Sequence, residues 1–345
     1  MPAGIVTLRA VTGDVTLLAG SEIRAGGASV DFADTWAYAA GGAVNLIADT
    51  GNVTAQSASL IDVGGDSAGG DAGDLTVWAA GDSILAGTLQ GDAADGFDSG
   101  RFALTAWRVN PDVNGDNDFS ALNDTLEVGG FHAQRQIRVR EGDIELAATD
   151  RVEAHEFLLS ADQGAIRVAG TVDASGGKGG RIGLYAGGDL DLLSGAQLLA
   201  NATDSLAAAE GTAGEGGQVE LGSGDAGVLK LVAGSLIDVS VPAGSASRGG
   251  RVVLRAARSG AGAGNGVALG EELGERDGKL VGAERVEVEA YKVYDGDGSG
   301  ITGLIAGSSS GNQLGIDSVQ EDNDAFVAAV DPVALKGNLD TGTAG

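Results

Sequence analysis

The chain has 345 residues, of which 61 are glycine and only 4 proline, with 43% hydrophobic and 4% aromatic residues and no cysteine. This composition excludes collagen-like and proline-rich classes, disulfide frameworks and thiol chemistry. Twenty-one basic against 49 acidic residues give a formal charge of −28, which argues against a nucleic-acid partner and an anionic membrane surface, because both require the opposite sign.

From its first residues the chain repeats itself. The string GIVTLRAVTGDVTLLAGSEIRAGG at 4–27 returns as AVNLIADTGNVTAQSASLIDVGG at 43–65. Val6 to Val15 spans nine residues and Val15 to Ile23 eight, and Val44, Val53 and Ile61 repeat the same spacing. Leu75 to Ile84 gives nine again, Ile182, Leu190 and Leu198 give eight and eight, and Val219, Leu229 and Ile237 give ten and eight. Within each unit the apolar residues alternate, as in Val6-Thr7-Leu8, so short strands turn one face to a core and the other to solvent. Gly13-Asp14, Gly51-Asn52, Gly81-Asp82, Gly142-Asp143 and Gly188-Asp189 mark tight corners: glycine takes positive φ freely, and Asp or Asn bonds back to its own backbone. After the third strand come loops rich in Gly, Ser and Asp, such as 64–73, 201–217 and 241–250.

Such units cannot bury an apolar face alone and must stack. Three strands and one variable loop make one coil of a parallel β-helix. Anchors near 6, 44, 75, 102, 158, 182, 219, 252 and 286 predict an all-β solenoid of about eight or nine coils, on the order of 40 Å long. The solenoid is expected over 1–295, with a short helical or irregular C-terminal cap, or a linker, over 296–345. Within that tail Asp317–Val330 carries Phe326, Val327 and Val330 at helical spacing. No stretch is long and apolar enough to span a bilayer, so no membrane insertion is expected.

One interruption breaks the rhythm, at 107–130. Oxygen ligands at loop positions one, three, five, nine and twelve map to Asp112, Asn114, Asp116, Ser120 and Asn123, with the Asp118 carbonyl at position seven. Phe119 stands at the apolar position eight, Asn117 replaces the turn glycine, and Asn123 replaces the bidentate acid, for which Asp124 is the neighbouring substitute. The pattern resembles a calcium loop of the dockerin or EF-hand type; the alternative is an acidic surface loop with the same spacing. A second cluster, Asp295-Gly296-Asp297-Gly298-Ser299, supplies only half of such a loop. Catalytic signals are weak. Gly65–Gly69 and Gly307–Gly311 fit Gly-x-Ser-x-Gly outside the strand-to-helix elbow that motif needs, and His132 and His155 lack partners at metal-ligand spacing.

GDVTLLAGSEI, SLIDV and RVEVEAYKVYD resemble the shaft of filamentous-haemagglutinin-like exoproteins, the adhesin-type substrates of two-partner secretion, over about residues 4–295. The resemblance implies a right-handed parallel β-helix, passage through an outer-membrane transporter, and a secreted or bacterial cell-surface location. The Asn-Pro secretion module and signal peptide of such proteins are not in this chain, which reads as an interior or carboxy-proximal portion. The expected function is that of a non-catalytic structural or adhesive shaft. Its loops would contact a host or neighbouring-cell surface protein or glycan, with Trp107 and Arg108 as candidate ligand-binding residues and calcium as a structural ion. The alternative is a β-helical polysaccharide lyase or hydrolase using Asp95, Asp98 and Arg101 beside Trp107.

Overall fold

The computed structural model describes residues 3–32, 35–203, 215–243, 248–258, 279–292 and 314–329. Ten strands stack in parallel as one sheet: β1 (Ile5–Ala10), β6 (Ala43–Ala48), β9 (Asp74–Ala79), β12 (Arg101–Ala106), β13 (Gln134–Val139), β16 (Glu156–Ala161), β19 (Arg181–Ala186), β22 (Gln218–Gly222), β25 (Gly250–Ala257) and β27 (Ala283–Tyr291). Short second strands form two further parallel sheets. One holds β2 (Val15–Leu17), β7 (Val53–Ala55) and β10 (Ser83–Leu85), the other β14 (Ile144–Leu146), β17 (Ile166–Val168), β20 (Leu190–Leu192) and β23 (Leu229–Leu231). The third strands are divided in the same way. β3 (Glu22–Arg24), β8 (Leu60–Asp62) and β11 (Thr88–Gln90) make one sheet, and β15 (Arg151–Glu153), β18 (Thr171–Asp173), β21 (Gln197–Leu199), β24 (Leu236–Asp238) and β26 (Lys279–Val281) the other. The fold is therefore mostly β and built from stacked parallel strands, in agreement with the repeat.

Alternation within each strand and register between strands create columns in the core. One column runs Val6, Val44, Leu75, Phe102, Arg135, Phe157, Ile182, Val219, Val252, Val286. The long sheet has one strand more than the nine anchors predict. That strand is β13, where Arg135 holds the inward position that alternation assigns to an apolar residue. Ile84 also departs from expectation: it is 39% exposed, and the inward residues of β10 are Ser83 and Leu85.

The corners work across rungs. Gly13 adopts φ +84°, as a tight turn requires. The neighbouring Asp and Asn side chains, however, reach the next rung and not their own backbone. Asp14 Oδ1 accepts from Asn52 N at 2.7 Å, Asn52 Oδ1 from Asp82 N at 2.8 Å, and Asp143 Oδ1 from Ala165 N at 2.9 Å. Where the chain re-enters the long sheet, a Cβ on Gly73 would lie 1.8 Å from the Gly42 carbonyl oxygen, so that corner accepts only glycine.

Two elements stand apart from the stack. The antiparallel hairpin β4 (Ala28–Asp31) and β5 (Trp36–Ala39) follows the first rung. Helix α2 (Leu314–Ala329) lies within the expected cap region, with Phe326 partly buried against the core and Arg258 over its ring at 4.4 Å. Val327 is 72% exposed, and Val330 and Asp295–Ser299 lie outside the described residues. Among the described residues no helix is long and apolar enough to cross a membrane.

Leu159 is fully buried in the middle of the stack. Leu159→Ala is expected to lower unfolding free energy in urea titrations by about 2–5 kcal/mol, with a smaller loss for the partly exposed neighbour in Leu158→Ala.

Candidate functional site

The interruption at 107–130 is itself a rung. After β12, Val109 makes an isolated parallel bridge with Ser83, and helix α1 (Phe119–Val128) then packs against β11, β14 and β15. Asp118 caps the helix, its Oδ1 accepting from Ala121 N at 3.0 Å. Phe119, Leu122 and Leu126 are buried in the common core, and Phe119 meets the Phe157 ring edge-on at 6.3 Å.

A helix satisfies its own backbone and offers no ladder of amides and carbonyls to a neighbouring strand. Here side chains supply what the missing strands would. Asn117 Nδ2 donates to the carbonyls of Glu141 at 2.9 Å and Asp143 at 3.1 Å. Asn123 Nδ2 donates to Arg151 O at 2.9 Å, and Glu127 Oε1 accepts from Glu153 N at 2.6 Å. Asn123 and Glu127 are four residues apart, hence on one helix face, and they serve alternate residues of β15. Ser120 Oγ donates to Asp150 Oδ2 at 2.6 Å, next to the start of that strand.

The residues matching a calcium loop are therefore distributed. Asp112, Asn114 and Asp116 share one exposed turn, in which Asp112 Oδ1 accepts from Asn114 N at 2.7 Å and Asp116 N at 2.9 Å. These bonds, the Asp116 amide foremost, hold the Asp112 carboxyl below its ordinary range. The Asp118 side chain caps the helix, Ser120 is committed to Asp150, and the buried Asn123 uses both ends of its amide. Asp124 lies on the exposed side of α1. Arg108 ties the turn to the stack, Nε 3.2 Å from Asp82 Oδ1 and Nη1 3.4 Å from Gly115 O.

The residue that pins the helix is Arg135. It is fully buried, donating Nε to Phe131 O at 2.7 Å and Nη1 to Asn123 Oδ1 at 3.0 Å and Glu127 Oε1 at 2.8 Å, while Nη2 is buried without a partner. Burial pulls its affinity for the proton down, and Glu127 partly restores it. Burial likewise opposes ionisation of Glu127, but the His132 imidazole, the Arg135 charge and the Glu153 amide outweigh it and hold the Glu127 carboxyl below its ordinary range.

His132 closes the cluster. Its Nε2 is shielded from solvent and faces Glu127 Oε2 at 3.3 Å. Ligand atoms of Glu127, His132 and Glu153 all fall within 4.8 Å of one another, and among the described residues no other His, Cys, Asp or Glu group does so. Each histidine interrupts a column of small corner residues. The residues whose carbonyls receive the amide at the entry to the next long strand run Gly4, Gly42, Gly73, Gly100, Ala133, His155, Gly180, Gly217, and the residues just before them run Ala3, Gly41, Ala72, Ser99, His132, Ala154, Gly179, Gly216. Breaks in these two columns, not ligand spacing along the chain, are the signal in the sequence that marks His155 and His132.

Two clefts open beside these corners. One of about 230 Å³ is lined by His132, Arg151, Glu153, His155, Asp173 and Ser175. A larger one of about 620 Å³ includes His155, Glu156, Lys178, Arg181, Glu215 and Gln218. The acids proposed for catalysis are elsewhere: Asp95 and Asp98 are exposed, and Arg101 faces Asp74 at 3.8 Å. Arg101 opens β12 and Trp107 follows its last residue, so a strand length of roughly 20 Å separates them. Comparison with protein-family models, curated proteins and solved structures finds no match for this chain in any of the three.

Glu127→Gln leaves the buried Arg135 without its counter-charge and is expected to cost about 3–5 kcal/mol at neutral pH. Because the folded-state pKa of Glu127 is depressed, its contribution is fully present above the unfolded value of 4.5 and fades as pH falls through the folded value. Urea titrations across that acid range should therefore show the difference between wild type and variant narrowing.

Proposed function

We propose that the chain is a right-handed parallel β-helix serving as a non-catalytic structural or adhesive shaft of a secreted bacterial surface protein. The observation that carries this reading is the ten-stranded ladder itself, which extends at about 4.8 Å per rung with an apolar core and little chemistry facing inward. The hairpin β4–β5 supplies a contact surface: Val30, Phe32, Trp36 and Tyr38 are each more than 40% exposed, and Tyr38 is braced edge-on by Phe97 at 5.4 Å. Aromatic residues on a projecting ribbon suit contact with a glycan or a protein, and Trp107 and Arg108 are proposed as a second contact. The sequence resemblance to filamentous-haemagglutinin-like exoproteins is the support for export through an outer-membrane transporter and for surface display. Calcium in the 112–124 loop is a separate proposal that rests on sequence spacing alone.

The larger cleft gives a second reading, a polysaccharide lyase or hydrolase, some substance, because Lys178 and Arg181 stand there beside Glu156 and Glu215. Arg181 is already engaged by Glu220 at 3.3 Å and Glu156 at 3.5 Å. The adjacent Tyr185 donates to Glu220, and burial foremost, with that carboxylate, pushes its phenol up to about 12, far from the range of a general base at neutral pH.

Incubation with acidic and neutral polysaccharides is expected to release neither reducing ends nor unsaturated products; turnover lost in Arg181→Ala would establish the enzymatic reading instead. Binding to glycan arrays or cell surfaces should fall in Trp36→Ala with no change in thermal stability. For calcium, titration calorimetry on wild type and on the Asp112→Ala, Asp116→Ala double variant is expected to give heat only in the wild type.

A further inference from the structure

We propose that Glu127, His132 and Glu153 form a zinc site that fastens helix α1 to the third strand of the following rung. The geometry is close to what the ion needs. Zinc binds nitrogen and carboxylate oxygen at about 2.0–2.1 Å in tetrahedral arrangement, which places donor atoms about 3.3 Å apart. His132 Nε2 and Glu127 Oε2 stand 3.3 Å apart, and Glu153 completes a set within 4.8 Å. The His132 nitrogen is shielded from solvent and faces a carboxylate oxygen, so an ion can take the place of the proton between imidazole and carboxylate. An imidazole donor selects zinc over calcium or magnesium, which take oxygen.

The surrounding residues suit the role. Arg135 and the Glu153 amide both bind Glu127 Oε1, so the carboxylate is held with Oε2 toward His132, the outer-shell orientation that metal-binding carboxylates require. Glu153 is paired with Arg151 through Oε1, and Arg151 also holds Asp173 at 2.8 Å, so Glu153 turns to a metal without stranding that arginine. His132 and Glu153 line the smaller cleft, which gives the ion a route in and leaves its fourth position to water or a small ligand. The three donors come from the helix, the corner after it, and β15. The ion would thus cross-link the only rung among the described residues in which a helix replaces strands.

The test uses the full chain, stripped with chelator, equilibrated with zinc and assayed for bound metal by mass spectrometry, with thermal unfolding in parallel. About one equivalent should remain in wild type, with a raised melting temperature. His132→Ala and Glu153→Gln should lose both the metal and the zinc-dependent shift. Circular dichroism of the two variants in the absence of metal should match wild type. The Asp112→Ala, Asp116→Ala variant should keep its zinc, which separates this site from the acidic turn. Wild-type protein that retains no zinc, His132→Ala that retains as much as wild type, or ready displacement by equimolar calcium would each overturn the proposal.

Discussion

A parallel strand is stable inside a stack only if its amides and carbonyls find partners on both sides, and everything particular about this molecule follows from how that demand is met where the repeat fails. In most rungs the next copy of the repeat provides the partners automatically. In the fourth, a helix stands where strands should be, and a helix has few backbone groups to spare. Asn117, Asn123 and Glu127 meet the demand with side chains, serving the carbonyls of Glu141, Asp143 and Arg151 and the amide of Glu153. The arrangement fixes the residue types: an amide where a carbonyl must be satisfied, a carboxylate where an amide must be.

That solution brings charge into the core. Glu127 needs a counter-ion because it is partly withdrawn from water, and Arg135 provides it from an inward position between Phe102 and Phe157. A buried ion pair contributes little net stability compared with apolar packing, but losing one member is severe. The pair therefore acts to specify the seating of the helix more than to add stability. The outer surface follows a different logic. Arg9 with Asp49, Arg138 with Asp162, and Arg251 with Glu287 pair across rungs at 2.8–3.0 Å. Exposed pairs of this kind add little to stability; they favour correct register and leave the excess acid facing solvent.

The stack, its three-strand rungs and its corners were legible because alternation and Gly-Asp punctuation leave marks in a single sequence. The missing tenth strand was not, because Gln134–Val139 carries arginines at two positions and one of them points inward. Its burial is explained only by Glu127 and Asn123, which belong to a different element. Ile84 misled for a related reason: Ser83 and Leu85 face the core, and the larger apolar residue between them faces out. The 112–124 segment reads as calcium chemistry from its spacing, and what spacing does not show is where the side chains go: Ser120 to Asp150, and Asn123 to Arg151 and Arg135. The His132 cluster was hidden because its members are brought together by stacking, from positions 127, 132 and 153.

The helical rung also sets where the structure can come apart. The long sheet passes through it unbroken, while both short sheets end on one side and begin again on the other. On two of its faces the molecule thus consists of a three-rung and a longer block; the Val109–Ser83 bridge and the Gly91–Gly129 bond tie the helical rung to the first block by backbone, and side chains of α1 tie it to the short strands of the second. Local opening in stacked repeats proceeds in cooperative units bounded by their weakest interfaces. This rung has the features of such a boundary, a seam at which one end of the stack can loosen while the other end keeps its strand pairing.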